Sequence, residues 1–381
     1  MTRALGVSAS LAALALGARM NAPLPVALDV PAAPIPVITG GTTALVYELH
    51  ISNLGTKPLR LERIDVQSGD SKRVASYNRR DIERSVKLIG PRGAPAPSSL
   101  TPGTRAVFFA WLTFDSPEQM PQTLVHAVVF SGGDSVRGGQ TSVRAEQNPV
   151  LAPPVDDGDW WIALGPSSTA DHRRSAIRVG DDTVPHLAQR FAIDWIKMDA
   201  KGEYARDHKG RRNEDWYGYG EAVRAVADAR VDAVSEGIPD NTPGENSRAV
   251  PMTVATVLGN YVVLDLGAGN GPMHRYVTYC HLKPGSVQVH PGDTVHRGQR
   301  LGLIGNSGNS DGPHLHFHVT EAADGTLAPL RSEGVPFVLD SFVVINHDPE
   351  RVSSGARLTA PGLQRSVLPV EGDVIRINRG R

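Results

Sequence analysis

Three histidines recur at every second position in Gly312-Pro313-His314-Leu315-His316-Phe317-His318, directly after a loop of Gly, Asn, Ser and Asp that begins at Gly305. A β-strand repeats its side-chain direction every two residues, so His314, His316 and His318 are expected to share one face. Imidazoles gathered on one face beside a turn-rich loop suit a metal ion or an oxyanion better than a core. A polar strand face turned to solvent is the plainer alternative, and the rest of the chain weighs against it. Residues 189–195 form a short apolar run that delivers a carboxylate, Asp194, near its end, and the strand-like run 275–281 ends in His281. Catalytic zinc takes three protein ligands from His and Asp or Glu and keeps a fourth position for water. Asp194 and His316 are the best first two ligands. His281 and His314 then remain as groups able to move protons or hold an oxyanion.

Elements of strand type are expected to position these groups. Residues 259–267 and 275–281 read as a hairpin around the Gly/Asn/Pro-rich segment 267–271, and 287–295 and 300–305 continue an all-β pattern with weak helical periodicity. Ten of the 13 histidines lie between His172 and His318, which places the chemistry in the second half of the chain. His290 and His296 flank a Pro-Gly-Asp turn and are expected at the surface. His318, one pair further along its strand, is expected to line a groove. Glycines between 305 and 312 would leave room for a slender peptide.

The first half shows short alternating runs separated by Pro and Gly turns: 44–51, 59–64, 106–112 and 124–130. That spacing predicts an antiparallel sandwich of the immunoglobulin-like kind. His50 and His126 stand alone there and carry no constellation, so an accessory domain is expected. Prolines and acidic residues then cluster in 148–158 as a linker. At the start, one arginine precedes the apolar run 4–18, too short to span a bilayer at about 20 residues but suited to the core of a secretory signal over 1–22. Export to the periplasm or the cell exterior follows, with no stable membrane span after signal removal. Cys280 is the sole cysteine, so no intramolecular disulfide is available. Neighbours on a strand face opposite ways, which makes Cys280 a packing residue rather than a partner of His281.

With 39 basic against 40 acidic residues in 381 and no long run of one sign, the chain lacks the footprint of a nucleic-acid binder or a polybasic membrane patch. Its 39 glycines and 29 prolines fit many turns and short strands.

Over about residues 186–320 the chain resembles the LytM/lysostaphin-type zinc metallopeptidases, which cut peptide bonds in bacterial peptidoglycan. The resemblance rests on Tyr279-Cys280-His281-Leu282, on the stretch from Val289-His290-Pro291-Gly292-Asp293 through His296-Arg297-Gly298-Gln299 to Gly302, and on Gly312-Pro313-His314-Leu315-His316-Phe317. It implies an antiparallel β-sheet metallopeptidase domain of the LytM, or duplicated hybrid motif, type (159–345); with the immunoglobulin-like β-sandwich read from the strand spacing (23–147) before the linker and a C-terminal extension (346–381), a mainly β protein is expected. It implies Zn2+ held by His316 and Asp194, His281 and His314 as catalytic histidines, and a peptidoglycan peptide as substrate. Residues 221–229 resemble the strand that follows the aspartate.

One position departs from the family. The aspartate is normally paired with a histidine four residues earlier, and here that residue is Arg190. A guanidinium stays protonated and offers no lone pair. His172 is the preferred replacement: if 171–178 and 189–195 form a hairpin around Gly180-Asp181-Asp182-Thr183, His172 falls on the face of Asp194. His186 and His208 are weaker rivals in loops. Three functions follow in order. The first is an active zinc endopeptidase. The second is a degenerate domain of the same fold that binds cell-wall peptide or regulates a partner cell-wall hydrolase. A lipoyl-like carrier hairpin, suggested by 289–299, is set aside because no lysine follows Lys283 to carry the group.

Overall fold

The computed structural model describes residues 24–89, 96–174, 186–207, 209–244, 248–269, 271–325, 329–348 and 358–379. The expected signal segment, the turn 180–183 and His208 lie outside the described residues.

Residues from Val26 to Ser142 form two five-stranded antiparallel sheets. In one, the long strands Thr42–Asn53 and Arg105–Phe114 pair along their length; in the other, Leu59–Ser68 lies between Thr123–Phe130 and Arg73–Asn78. Every second residue of the first pair, including Tyr47, Leu49, Phe108 and Ala110, joins Ile64, Val66, Leu124 and Val128 of the second sheet in one core. These are the strands the alternating runs predict, and together they make a sandwich.

Thr42–Asn53 nevertheless breaks the alternating pattern, because both of its faces are buried. Ala44 and Val46, on the face turned away from the sandwich core, belong to the core of the second half of the molecule. Val107 and Phe109 on the neighbouring strand pack against Leu187. The outer face of this sheet is therefore a docking surface, more than an accessory domain requires.

The second half is built on one 12-stranded sheet. At its centre Ile193–Met198, Leu315–Ala323, Met273–Leu282 and Asn260–Ala268 pair antiparallel in that spatial order. The expected hairpin 259–281 is present, with Asp265 opposite Tyr276. Residues expected as a C-terminal extension supply Gly362–Val367 and Asp373–Ile377, which join the same sheet beside Val338–His347 and Gly158–Leu164. Ala222–Arg224 and Arg300–Leu303 form a small separate pair.

The expected hairpin between 171 and 195 does not form. Asp171–Arg174 is a single helical turn, and residues 189–192 form a turn before the strand starts at Ile193. Arg173 and Arg190 each bond the sandwich through their side chains instead of facing one another across a ladder.

Candidate active site

Ile193 and Trp195 are fully buried in the core, so the alternation of their strand turns Asp194 to the opposite face. There Asp194 pairs in register with His316, and His316 pairs on its other side with Cys280. Three adjacent strands thus bring a carboxylate, an imidazole and a thiol into one row across the sheet.

His281, the residue after Cys280, would point to the far face if its strand continued. It does not, because its φ is +61°, in the left-handed region that non-glycine residues rarely adopt. The turn in the backbone swings the ring back toward His314 and His316, at centroid separations of 4.9 and 5.8 Å. Strand alternation separates Cys280 from His281, and Cys280 packs with Leu258 and Leu330 as expected. Its thiol also lies within 4.8 Å of ligand nitrogens of both His316 and His318, and burial pushes its pKa well up. Backbone strain of this kind is held by surrounding contacts and tends to gather at functional sites.

The loop before His314 is closely packed rather than open. Asn306, Ser307 and Ser310 are buried, and the Asn241 amide donates to the carbonyls of Gly308 and Ser310 at 2.7 and 2.9 Å. Ser307 accepts from the Asn260 backbone N–H and donates to the Leu282 carbonyl. Its glycines serve close backbone contact: a Cβ on Gly308 would stand 2.3 Å from the Gly259 nitrogen. The room expected from these glycines is taken up by packing.

Each histidine is oriented by a second contact. His281 Nδ1 donates to the Ser307 carbonyl at 2.8 Å, which leaves Nε2 as its unprotonated nitrogen. His314 Nδ1 donates to the Gly312 carbonyl at 2.8 Å, and its Nε2 lies 3.5 Å from Asp194 Oδ1. His316 Nδ1 lies 2.9 Å from Asp194 Oδ1, while its Nε2 lies 3.0 Å from His318 Nδ1. His318 is fully buried and is not a groove residue. His172, from the helical turn, places Nε2 2.9 Å from Asp194 Oδ2. Its ring stands edge-on to His316 at 4.6 Å. His186 sits away from this cluster and pairs with Glu333, and the side chains of His290 and His296 are exposed.

Burial and mutual repulsion with His314 and His316 hold His281 well below its ordinary pKa. Burial acts on His314 in the same direction, but the Asp194 carboxylate overcomes it and raises the value. Asp194 itself is pushed up by burial and down by His172 and His314, and the histidines win, keeping it ionised. Burial lowers His316 to about 4. The result is one imidazole poised to accept a proton beside another poised to hold one.

His172, Asp194 and His316 present one ligand atom each within 4.8 Å of one another. Two imidazoles and a carboxylate are the donor set of a catalytic zinc site, so these residues fit the metal that the family resemblance implies. The sequence profile of Peptidase family M23 matches residues 214–329. This stretch of the chain carries the M23 family signature. His281, His314 and His316 lie inside the matched span, whereas His172 and Asp194 precede it.

Two relatives match parts of the chain. It shares 48% identity over 61 residues with the peptidoglycan DD-endopeptidase ShyA of Vibrio cholerae, covering 16% of this chain and 13% of that protein. A metalloprotease of Haemophilus influenzae is 37% identical over 94 residues, covering 24% of this chain and 18% of its own. The matched stretches thus span less than a fifth of either relative. A zinc-containing peptidase from Vibrio cholerae of known crystal structure aligns with a TM-score of 0.26 at 16% identity, over 77% of this chain and 82% of that one.

Sequence pattern points to Asp194, His281, His314 and His316, and the expected hairpin to His172. It missed the His318 contact and the arginines that flank the site. The third histidine of the His-x-His-x-His alternation was the available signal for His318. Nothing local marks the partners of Arg173 and Arg190.

Proposed function

We propose that the chain is an exported zinc metalloendopeptidase that hydrolyses peptide bonds of peptidoglycan, in crosslinks or stem peptides, with the M23 domain and its flanking strands as catalytic unit. The observation that carries this reading is the convergence of His172, Asp194 and His316 on one point, with His281 and His314 beside it. His172 through Nε2, His316 through Nδ1 and one oxygen of Asp194 would hold the ion. Bound zinc lowers the pKa of water and polarises the scissile carbonyl. His281 Nε2, kept neutral by burial and fixed by the Ser307 carbonyl, accepts the proton of the attacking water. His314 Nε2 carries a proton toward the carbonyl oxygen or the leaving amine, its Nδ1 held by Gly312. Peptidoglycan as substrate draws support from the Vibrio cholerae relative, which is a peptidoglycan DD-endopeptidase. Export draws support from the apolar segment at 4–18, and among the described residues no helix is long and apolar enough to cross a membrane.

Arg190 favours a second reading, a domain that binds cell-wall peptide or a partner hydrolase without cutting. The purified mature protein separates the two. About one zinc per chain together with release of peptides from isolated peptidoglycan supports the peptidase; the absence of both supports the binder. Zinc that persists in His172→Ala would sink the ligand assignment.

A further inference from the structure

The turn that carries His172 is fastened to the sandwich. Arg173, the next residue, is fully buried, and its guanidinium is held by residues of the two long strands of the first sheet. Its Nε donates to Glu48 Oε1 at 3.2 Å, and one terminal nitrogen donates to the carbonyls of Tyr47 and Ala110 at 2.9 and 2.7 Å. The same guanidinium stands over Phe109 and Trp111, at 5.4 and 5.8 Å from their ring centroids. Arg174 also stands over Phe109, at 5.6 Å from the ring centroid, and donates to the Arg84 carbonyl, and its own carbonyl accepts from Lys87 at 2.7 Å.

Glu48 has a second partner. Its other oxygen, Oε2, accepts from Nε of Arg190 at 2.8 Å, and Arg190 also donates to the Gly334 carbonyl at 2.5 Å and to Glu333 at 2.8 Å. One carboxylate, 2% exposed, thus joins the turn of His172 to the turn that leads into the Asp194 strand. Two guanidinium groups and two carboxylates balance in charge, which is the condition for keeping such groups out of water. The residue that departs from the family pattern is therefore bound up in the same network that fixes the replacement ligand.

We propose that the sandwich is a working part of the metal site: Glu48 and Arg173 are positioning residues that hold His172 against Asp194, so the ligand set is complete only when the two halves are docked. The proposal rests on His172 being a ligand. By linkage, metal binding must then favour docking as much as docking favours metal binding.

The test is a double-mutant cycle on the full-length mature protein. Zinc affinity is measured by competition with a chromophoric chelator, and the visible spectrum of the Co2+ form reports the coordination of the ion. His172→Ala comes first, and unchanged affinity there overturns the ligand reading and this inference with it. Given a loss, Arg173→Lys, which keeps the charge but cannot reach Glu48 and two carbonyls together, is expected to weaken zinc about 10- to 100-fold, the range for residues that orient a ligand, and to alter the Co2+ spectrum. In the His172→Ala background the same change is expected to add no further loss. Wild-type affinity in a folded Arg173→Lys protein overturns the positioning role and leaves the ligand reading intact. An equal loss in both backgrounds also overturns it, because a general effect on the fold is additive. If Arg173→Lys does not fold, Phe109→Leu, which removes the ring beneath Arg173 and Arg174 and keeps an apolar side chain against Leu187, is read in the same cycle with the same expectations.

Discussion

His316 stands between Asp194 and His318, with Nδ1 2.9 Å from the carboxylate and Nε2 3.0 Å from His318 Nδ1. A neutral imidazole that ligates through Nδ1 must keep its proton on Nε2, and His318 Nδ1 is the acceptor in place for it. His318→Phe preserves bulk in this buried position and removes the acceptor. It is expected to lower zinc affinity roughly 10- to 100-fold, with His281 and His314 still in place. Chelator competition measures this; an unchanged constant would show that His316 does not depend on His318.

His281 acts on the proton and not on the metal in this arrangement. Asparagine is the informative replacement, because it tolerates the left-handed backbone that His281 adopts at φ +61°. His281→Asn is expected to keep its zinc and its melting temperature while kcat on a peptidoglycan peptide falls by about 10²- to 10⁴-fold, the usual weight of general acid–base catalysis. Loss of zinc in this variant would make His281 a ligand instead.

How far the site was legible in the sequence depends on the distance over which each contact acts. The alternation of His314 and His316 and the short run that ends at Asp194 are local patterns, and the sheet keeps them: Asp194 and His316 sit opposite each other. The orientation of His281 was not legible, since strand alternation assigns it to the other face and only a reversed φ brings it in. His172 was reached from a hairpin that does not form, and a helical turn delivers it to Asp194. What holds that turn is Glu48, 125 residues from Arg173 and 142 from Arg190 in the chain. Glu48 follows Tyr47 in a strand whose two faces serve two different cores, and no short pattern carries that information. The same holds for the segment beyond 346, whose last strand, Asp373–Ile377, finds its partner near residue 160.

Gly308 is the position where a single methyl group should do most damage near the site. Its φ is +75°, and a Cβ would meet the Gly259 backbone at 2.3 Å, where neither side can give way. Gly308→Ala is expected to cost roughly 2–5 kcal/mol from left-handed strain and overpacking combined. Because the neighbouring Ser307 carbonyl orients His281, any folded fraction is expected to lose activity too. Urea denaturation and a peptide-cleavage assay on the same preparation measure both effects. A stability equal to wild type would mean that the loop 305–312 has slack.

The sandwich should carry its own acid sensitivity. His126 is fully buried; its Nδ1 donates to the Gly139 carbonyl at 3.0 Å and its Nε2 accepts from the Tyr47 hydroxyl at 2.8 Å. Burial lowers its pKa from 6.5 to about 4, and burial does the same to His50. Between those two values the unfolded chain takes up a proton that the folded chain refuses, so stability is full above about pH 6.5 and falls as pH drops toward 4. The loss is on the order of 3 kcal/mol for each histidine at most. His126→Gln removes one titrating group, and the fall in unfolding free energy between pH 6.5 and 4 is expected to shrink relative to wild type. The histidines of the candidate active site titrate in both proteins, so the difference between the two curves isolates His126. Parallel curves would show that His126 is protonated within the fold.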